Sequence, residues 1–320
     1  MTVLRPNVSL VIPLLNEEES LKELHQWIVS VLQKNALSYE LIFIDDGSSD
    51  SSWEVITALR TLDANIRGIK FQRNYGKSAA LQTAFQEVQG EVVITMDADL
   101  QDSPEEIPDL YRMIAEEGYD LVSGWKKKRH DPLTKTLPTK LYNWAARRIT
   151  GIHLHDFNCG LKAYKLSVVK SIEVYGDMHR YMPALAKYAG FKKIGEKTVQ
   201  HQSRKYGYSK FGLNRFLHGP LDLMTVAFMG RFGKKPMHFF GALGTLMFLV
   251  GFGFAFYLGV DKLFIHTRGV KLADRTEFYV AMISMLMGLQ FFLTGFIAEL
   301  VGRNSSSRNN YLIEEKSGWD

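Results

Sequence analysis

The 320-residue chain contains a single cysteine, Cys159. An intrachain disulfide is therefore excluded, and the usage fits a reducing compartment. Charge of one sign is not in large excess: 39 Lys and Arg stand against 34 Asp and Glu, a formal net charge of +5. That mildly basic balance suits anionic ligands or a membrane surface and gives no argument for nucleic acid. From Met1 to Ser9 there is no basic stretch followed by an apolar core, so no cleavable export signal is expected. Two phosphate-binding fingerprints are missing as well. No Gly-x-Gly-x-x-Gly follows the first apolar run, and no Gly-x-x-x-x-Gly-Lys-Ser/Thr occurs. Their absence argues against a nicotinamide-dependent dehydrogenase and a P-loop NTPase.

Hydrophobicity is unevenly placed. Residues 1 to about 235 have the composition of a soluble domain, but Phe239–Val260 and Phe278–Ala298 are uncharged runs of about twenty residues each. They are glycine-rich (Gly241, Gly244, Gly251, Gly253, Gly288, Gly295), and Phe239, Phe240, Tyr257, Phe278 and Tyr279 lie near their ends. Buried core helices are the alternative, but these features fit membrane spans better. A short polar connection, Asp261–Glu277, makes the pair a hairpin with both termini on one side. Basic residues flank both ends: Arg231, Lys234 and Lys235 before, Arg303 and Arg308 after, and Lys262, Arg268, Lys271 and Arg275 between. The positive-inside rule hardly decides the orientation. The missing export signal favours a cytosolic place for the domain before the hairpin, at an inner or plasma membrane.

The first half alternates short apolar runs with amphipathic stretches. Val8–Pro13, Tyr39–Ile44, Ile66–Phe71 and Glu91–Met96 predict buried strands. Asn16 to about Lys34, Ser52 to about Asp63 and Lys77–Val88 predict helices, the first capped by Asn16 and striped by Leu21, Leu24, Ile28 and Leu32. The class is α/β around a mainly parallel sheet. Ligands of such sheets sit at the carboxyl ends of strands. Four polar clusters fall there: Pro13–Glu17, Asp45-Asp46, Asn74–Lys77 and Asp97–Gln101. Beyond Leu110 the pattern is mixed, with a strand at Tyr119–Ser123, a basic loop at Lys126–Arg129, a helix at Thr136–Thr150 carrying Lys140, and a basic loop from Arg204 to Lys210. Phe211–Phe232 alternates apolar and basic positions, as an interfacial amphipathic segment does.

Asp97-Ala98-Asp99-Leu100-Gln101 carries the chemistry. Two carboxylates one residue apart at a strand end suit a hard divalent cation such as Mg²⁺ or Mn²⁺ that keeps waters and substrate phosphates in its shell. A turn or helix cap is the plainer reading of such a pair. The second acidic strand end upstream and the basic cluster downstream favour the cation. His153 and His155 lack nearby Cys partners and read as surface residues more readily than as a zinc site.

Pro13-Leu14-Leu15-Asn16-Glu17, Asp45-Asp46-Gly47-Ser48, Asp97–Gln101 and the Arg204–Lys210 loop together resemble the family 2 glycosyltransferases of the GT-A fold, in their polyprenyl-phosphate branch. The resemblance covers almost the whole chain. It implies a GT-A domain over 1–210, an amphipathic juxtamembrane segment over 211–237, a transmembrane hairpin over 238–301 and a polar tail over 302–320. It implies that Pro13, Leu15, Glu17, Asp45, Asp46, Lys77, Asp97 and Ala98 bind the nucleotide, and that Asp97, Asp99 and Gln101 hold the metal and diphosphate. Arg204 and Lys210 would clamp phosphates during catalysis, and Lys126 and Lys140, with Arg204, would meet the acceptor phosphate. Arg is common at the positions of Lys126 and Lys140 in relatives, and Lys offers a point charge in place of a bidentate fork.

The partners implied are a UDP- or GDP-sugar and a membrane polyprenyl phosphate; a homo-oligomer is left open. Such an acceptor needs no general base, because a phosphate monoester has a second pKa of about 6 and is largely dianionic at neutral pH. Direct displacement by it inverts the anomeric carbon. One rival reading is a polysaccharide-extending synthase, but Gln-x-x-Arg-Trp and further spans are absent. Another is a catalytically silent membrane scaffold, against which the intact acidic and basic positions argue.

Overall fold

The computed structural model describes residues 5–127, 143–203, 205–206, 215–232, 235–265 and 271–303. Two compact units are present, residues 1–227 and 228–320.

The first unit is built on β1 (Val8–Leu14), β2 (Tyr39–Asp45), β3 (Ile66–Lys70), β4 (Val92–Thr95), β5 (Leu121–Trp125), β6 (Lys162–Lys165) and β7 (Ile194–Thr198). They form one sheet in the order β3-β2-β1-β4-β6-β5-β7. β6 runs antiparallel to both of its neighbours, and the other pairings are parallel. The four expected strands are those of the parallel half. The fifth lies two residues later than its apolar pattern suggests, and β6 and β7, short and rich in lysine, carry no such pattern.

Helices cover both faces, as continuous apolar strands require. Val8, Leu10, Ile12 and Leu14 of β1 pack with α1 (Leu21–Lys34), α2 (Ser52–Leu62) and α4 (Ile107–Ala115). Val11, between them, belongs to the opposite cluster with α3 (Lys77–Glu87), the helix over 143–150 (α5), α6 (Leu166–Ser171) and α7 (Met182–Tyr188). The period of two along β1 thus splits the core into two layers.

The first helix starts at Leu21, five residues later than expected. Asn16 does not cap it. Its φ of +51° is left-handed, a region asparagine tolerates, and its side-chain oxygen accepts the Ser49 backbone N–H at 2.8 Å. Glu17 and Glu18 likewise donate their backbone N–H groups to Ser52 and Asp50. The residues after β1 are therefore spent on joining the β1 and β2 loops.

Helix α8 (Arg215–Phe232) lies within the expected juxtamembrane segment. Among its described side chains, Leu221, Met224, Thr225, Met229 and Arg231 are exposed while Leu223 and Val226 are buried.

In the second unit, α9 (Pro236–Val260) and α10 (Thr276–Arg303) pair as a hairpin. Both are long and apolar enough to cross a membrane, and most of their side chains face outward. Glycine sets their approach. A Cβ on Gly244 would stand 2.5 Å from the Gly288 carbonyl, and one on Gly288 would stand 2.6 Å from the Gly244 carbonyl. Ser284 donates to the Met247 carbonyl at 2.9 Å, and Arg275 pairs with the buried Asp261 at 2.8 Å near the hairpin connection. Close small-residue packing with a few polar ties is how apolar helices associate where lipid competes equally for leucine.

Candidate active site

The carboxyl ends of β1, β2, β3, β4, β5 and β7 and the amino end of β6 share one edge of the sheet. Asp45 closes β2 and is fully buried. One of the oxygens of this residue, expected in the nucleotide pocket, accepts the Ser48 N–H at 2.8 Å and so shapes the turn. Gly47 follows at φ +74°, where a Cβ would stand 2.4 Å from the Arg73 carbonyl carbon. Asp46 spends both oxygens on the loop after β3, accepting the Tyr75 N–H at 2.7 Å and the Gly76 N–H at 2.9 Å. Burial pushes its carboxyl above the ordinary range, with the two backbone donors opposing. The held loop presents Tyr75, 54 % exposed, with the Arg73 guanidinium over its ring at 4.6 Å. Pro13, Leu15 and Glu17 are partly exposed beside this loop system, as a pocket lining requires.

Asp97 follows β4 and remains partly exposed. Lys77, the first residue of α3, is ion-paired with its Oδ1. Burial raises the Asp97 carboxyl, but Lys77, Lys126 and Lys162 outweigh it and hold its pKa at about 2. Gly160 presses on the other side: a Cβ there would stand 2.4 Å from Asp97 Oδ2. Ala98 and Asp99 are buried, Leu100 has a φ of +60°, and an Asp99 oxygen accepts the Gln101 N–H at 3.2 Å. The Gln101 carbonyl accepts the Gln202 N–H at 2.9 Å, and Asp102 bridges to His201. The acidic turn is thereby joined to the stretch just before Arg204.

Lys126, expected at the acceptor phosphate, is paired with Asp102 at 2.7 Å, and the Asp102 side chain is fully covered. Burial would weaken the Lys126 ammonium, yet Asp102 outweighs that and raises its pKa. Lys126 therefore stays charged, and its field reaches Asp97. Lys140, Arg204 and Lys210 lie outside the described residues. Between the latter two, Lys205 and Tyr206 both bond Glu23 of α1, at 2.7 Å and 3.2 Å.

Five residues at or beside this site carry no motif. Lys162, 3 % exposed, opens β6 opposite Thr95, and burial lowers its pKa while its ammonium donates to the Cys159 carbonyl. A lysine in a short strand reads as a solvent-facing position, so only the antiparallel register exposes its place. Asp102 directly follows the acidic run and is distinguished only by its burial. Ser78 and His179 meet across 101 positions of sequence, which no local pattern signals. Cys159 is buried and its thiol is pushed up to about 12, consistent with a structural role.

No group of three or more His, Cys, Asp or Glu side chains able to hold a metal ion occurs among the described residues. The Asp97–Asp99 pair supplies hard oxygen donors and leaves most of a coordination shell to water and phosphate, which fits Mg²⁺ or Mn²⁺ bound jointly with a diphosphate. A closed protein cage for zinc is not what these residues offer.

Residues 9–172 match the model of glycosyl transferase family 2. The chain belongs to this family. It is 34% identical over 316 residues to a dodecaprenyl-phosphate galacturonate synthase of Rhizobium johnstonii, covering 96% of this chain and 92% of that protein. It is equally 34% identical over 315 residues to an undecaprenyl-phosphate 4-deoxy-4-formamido-L-arabinose transferase of Yersinia pestis, covering 97% and 94%. Among solved structures, glucosyl-3-phosphoglycerate synthase from Mycobacterium tuberculosis in complex with Mn²⁺, UDP and phosphoglyceric acid superposes with a TM-score of 0.53. That match has 18% identity and covers 70% of this chain and 78% of the other. It establishes the GT-A-like fold of this glycosyltransferase.

Proposed function

We propose that this glycosyltransferase moves a sugar from a UDP- or GDP-sugar to a polyprenyl phosphate in the membrane, with inversion at the anomeric carbon. One observation carries the reading: one edge of the sheet gathers Lys77, Lys126 and Lys162 around Asp97, two residues before Asp99, on a chain that also has two helices able to span a bilayer. Both curated relatives described above are named for transfer to, or synthesis of, a polyprenyl-phosphate-linked sugar. The catalytic domain is read as cytosolic, at the inner or plasma membrane, because nucleotide sugars are cytosolic substrates.

The acceptor phosphate is its own nucleophile, so the protein's task is positional and electrostatic. One phosphate oxygen forms a bond to the anomeric carbon as the bond from that carbon to the diphosphate breaks, and the nucleoside diphosphate leaves with the electron pair. Lys77 and Lys126 lower the repulsion between the two anionic reactants. Pro13, Leu15, Glu17 and the loop held by Asp46 receive the nucleoside. Asp97, Asp99 and Gln101 would hold a divalent cation, which when bound neutralises charge developing on the diphosphate. Arg204, Lys210 and Lys140 are assigned to the phosphates by the family resemblance alone. The exposed apolar residues of α8 suit a membrane surface.

Removal of Phe239–Asp320 tests the acceptor. Nucleotide binding should survive, because every assigned donor residue precedes the deletion. Transfer to long-chain lipid phosphate should fall far more. Glycosylation of a soluble sugar or protein by both forms, with no lipid product from either, would refute the assignment.

A further inference from the structure

The first turn of α3 has a difficulty that its sequence does not solve. Its N-cap is Gly76, at φ +94°, which has no side chain to accept the free amides of the turn. The turn nevertheless has to hold Lys77 against Asp97. Two outside contacts pin it. Asp46 accepts the amides just before the helix, from Tyr75 and Gly76. Ser78, 2 % exposed, is held from the opposite side by the turn Met178–Arg180. There the Ser78 hydroxyl accepts the His179 backbone N–H at 3.1 Å and lies 3.0 Å from His179 Nδ1.

The Ser78 oxygen accepts the backbone N–H and keeps a second lone pair and its own hydrogen, so it meets His179 Nδ1 either as donor or as acceptor. The clasp therefore holds whichever ring nitrogen carries the proton. The surroundings favour the neutral ring. Burial pushes the His179 pKa well below its ordinary range, and Lys77, Arg180 and Lys162 push the same way, with only Asp97 opposing. The positive end of α3 adds to this.

We propose that His179 is a positioning residue for the donor half of the reaction: an imidazole clasping Ser78 that fixes the first turn of α3 and so holds Lys77 in register with Asp97. This rests on the assignment of Lys77 and Asp97 to the donor diphosphate. The clasp acts on nucleotide binding and leaves the acceptor side alone.

The test is a double-mutant cycle on the full chain in detergent, read by calorimetric titration with UDP and with GDP in the presence of Mn²⁺, and by KM for each substrate. His179→Ala should weaken binding of the nucleotide the wild type takes by about 5-fold, the worth of one hydrogen bond, and Ser78→Ala, which also takes the acceptor from the His179 backbone N–H, by at least as much. The double variant should be no worse than Ser78→Ala alone, because that substitution already removes the ring contact. KM for lipid phosphate should stay within about 2-fold, which a general loss of folding would not allow. His179→Asn carries an amide oxygen near the position of Nδ1 and should restore most of the affinity. Where His179→Ala fails to fold, the Ser78→Ala and His179→Asn pair decides the matter. Multiplying effects in the double variant, equal shifts in both KM values, or wild-type nucleotide affinity in both alanine variants would overturn the clasp. Absence of nucleotide binding by the wild type would instead overturn the donor-site reading beneath it.

Discussion

Gly160→Ala isolates the position of the Asp97 carboxylate from the stability of the fold. The added methyl would stand 2.4 Å from Asp97 Oδ2, 2.7 Å from Cγ and 2.9 Å from Oδ1, where ordinary contact begins at 3.4 Å. Gly160 is not in a left-handed conformation, so alanine meets no backbone strain there. All three close atoms belong to one short side chain, and that side chain must move. A retreat of about 1 Å is needed, and a misplacement of that size at a reacting centre can cost about 10²-fold in rate. The structural cost is small, because the strand pairing around Thr95 and Lys162 is untouched. A loss under about 1 kcal/mol corresponds to a melting shift of only a few degrees in a unit of this size. The assay is paired: turnover with nucleotide sugar and lipid phosphate, and thermal melting of the same preparation. Turnover within 3-fold of wild type at unchanged melting temperature would refute the placement of Asp97 at the reacting diphosphate. A fall in melting temperature as large as the fall in activity implies would refute the claim that the clash is local.

Three further outcomes follow from the same geometry. Asp46→Ala leaves the Tyr75 and Gly76 amides without their partner and should cost about 1–3 kcal/mol, seen as a lower melting temperature together with weaker nucleotide binding. Lys77→Met removes the main attraction holding Asp97 near 2. The wild type's stability advantage over this variant should be fully present above about pH 4 and shrink as pH falls toward 2, because the stabilising state is the ionised carboxylate. Melting curves from pH 7 to pH 3 check it, and an advantage that grows on acidification would contradict the pairing. Gly288→Leu forces α9 and α10 apart at their closest approach. It should lower lipid-phosphate transfer while nucleotide titration of the soluble-type unit stays at the wild-type value.

The parallel half of the sheet was readable because β1, β2 and β4 are mostly apolar runs, with Ser9, Glu40, Asp45 and Thr95 confined to their ends. The same is true of the hairpin, where length and absence of charge suffice. The antiparallel insertion of β6 was not readable, since Lys162-Ala163-Tyr164-Lys165 shows neither a clean alternation nor an apolar run. That strand is what delivers Gly160 and Lys162 to Asp97. The acidic motif was therefore legible in the sequence and its cationic neighbours were only half so. Lys77 follows a strand and stands out, whereas Lys162 and the Ser78–His179 contact depend on long-range packing. Lys126 shows the converse. Its place in a basic run suggests a free cation, but only the structure reveals that Asp102, the residue immediately after the motif, holds it.

The central claim is tested most directly by offering the purified full-length chain a panel of UDP- and GDP-sugars with undecaprenyl phosphate and Mg²⁺ or Mn²⁺, and analysing the lipid fraction by mass spectrometry. The account predicts a single-sugar polyprenyl phosphate of inverted anomeric configuration from a restricted set of donors. It also predicts that excess chelator or Asp99→Asn abolishes this product while the protein stays folded. A product with retained configuration, undiminished transfer in chelator, or sugar transfer only to non-lipid acceptors would contradict it.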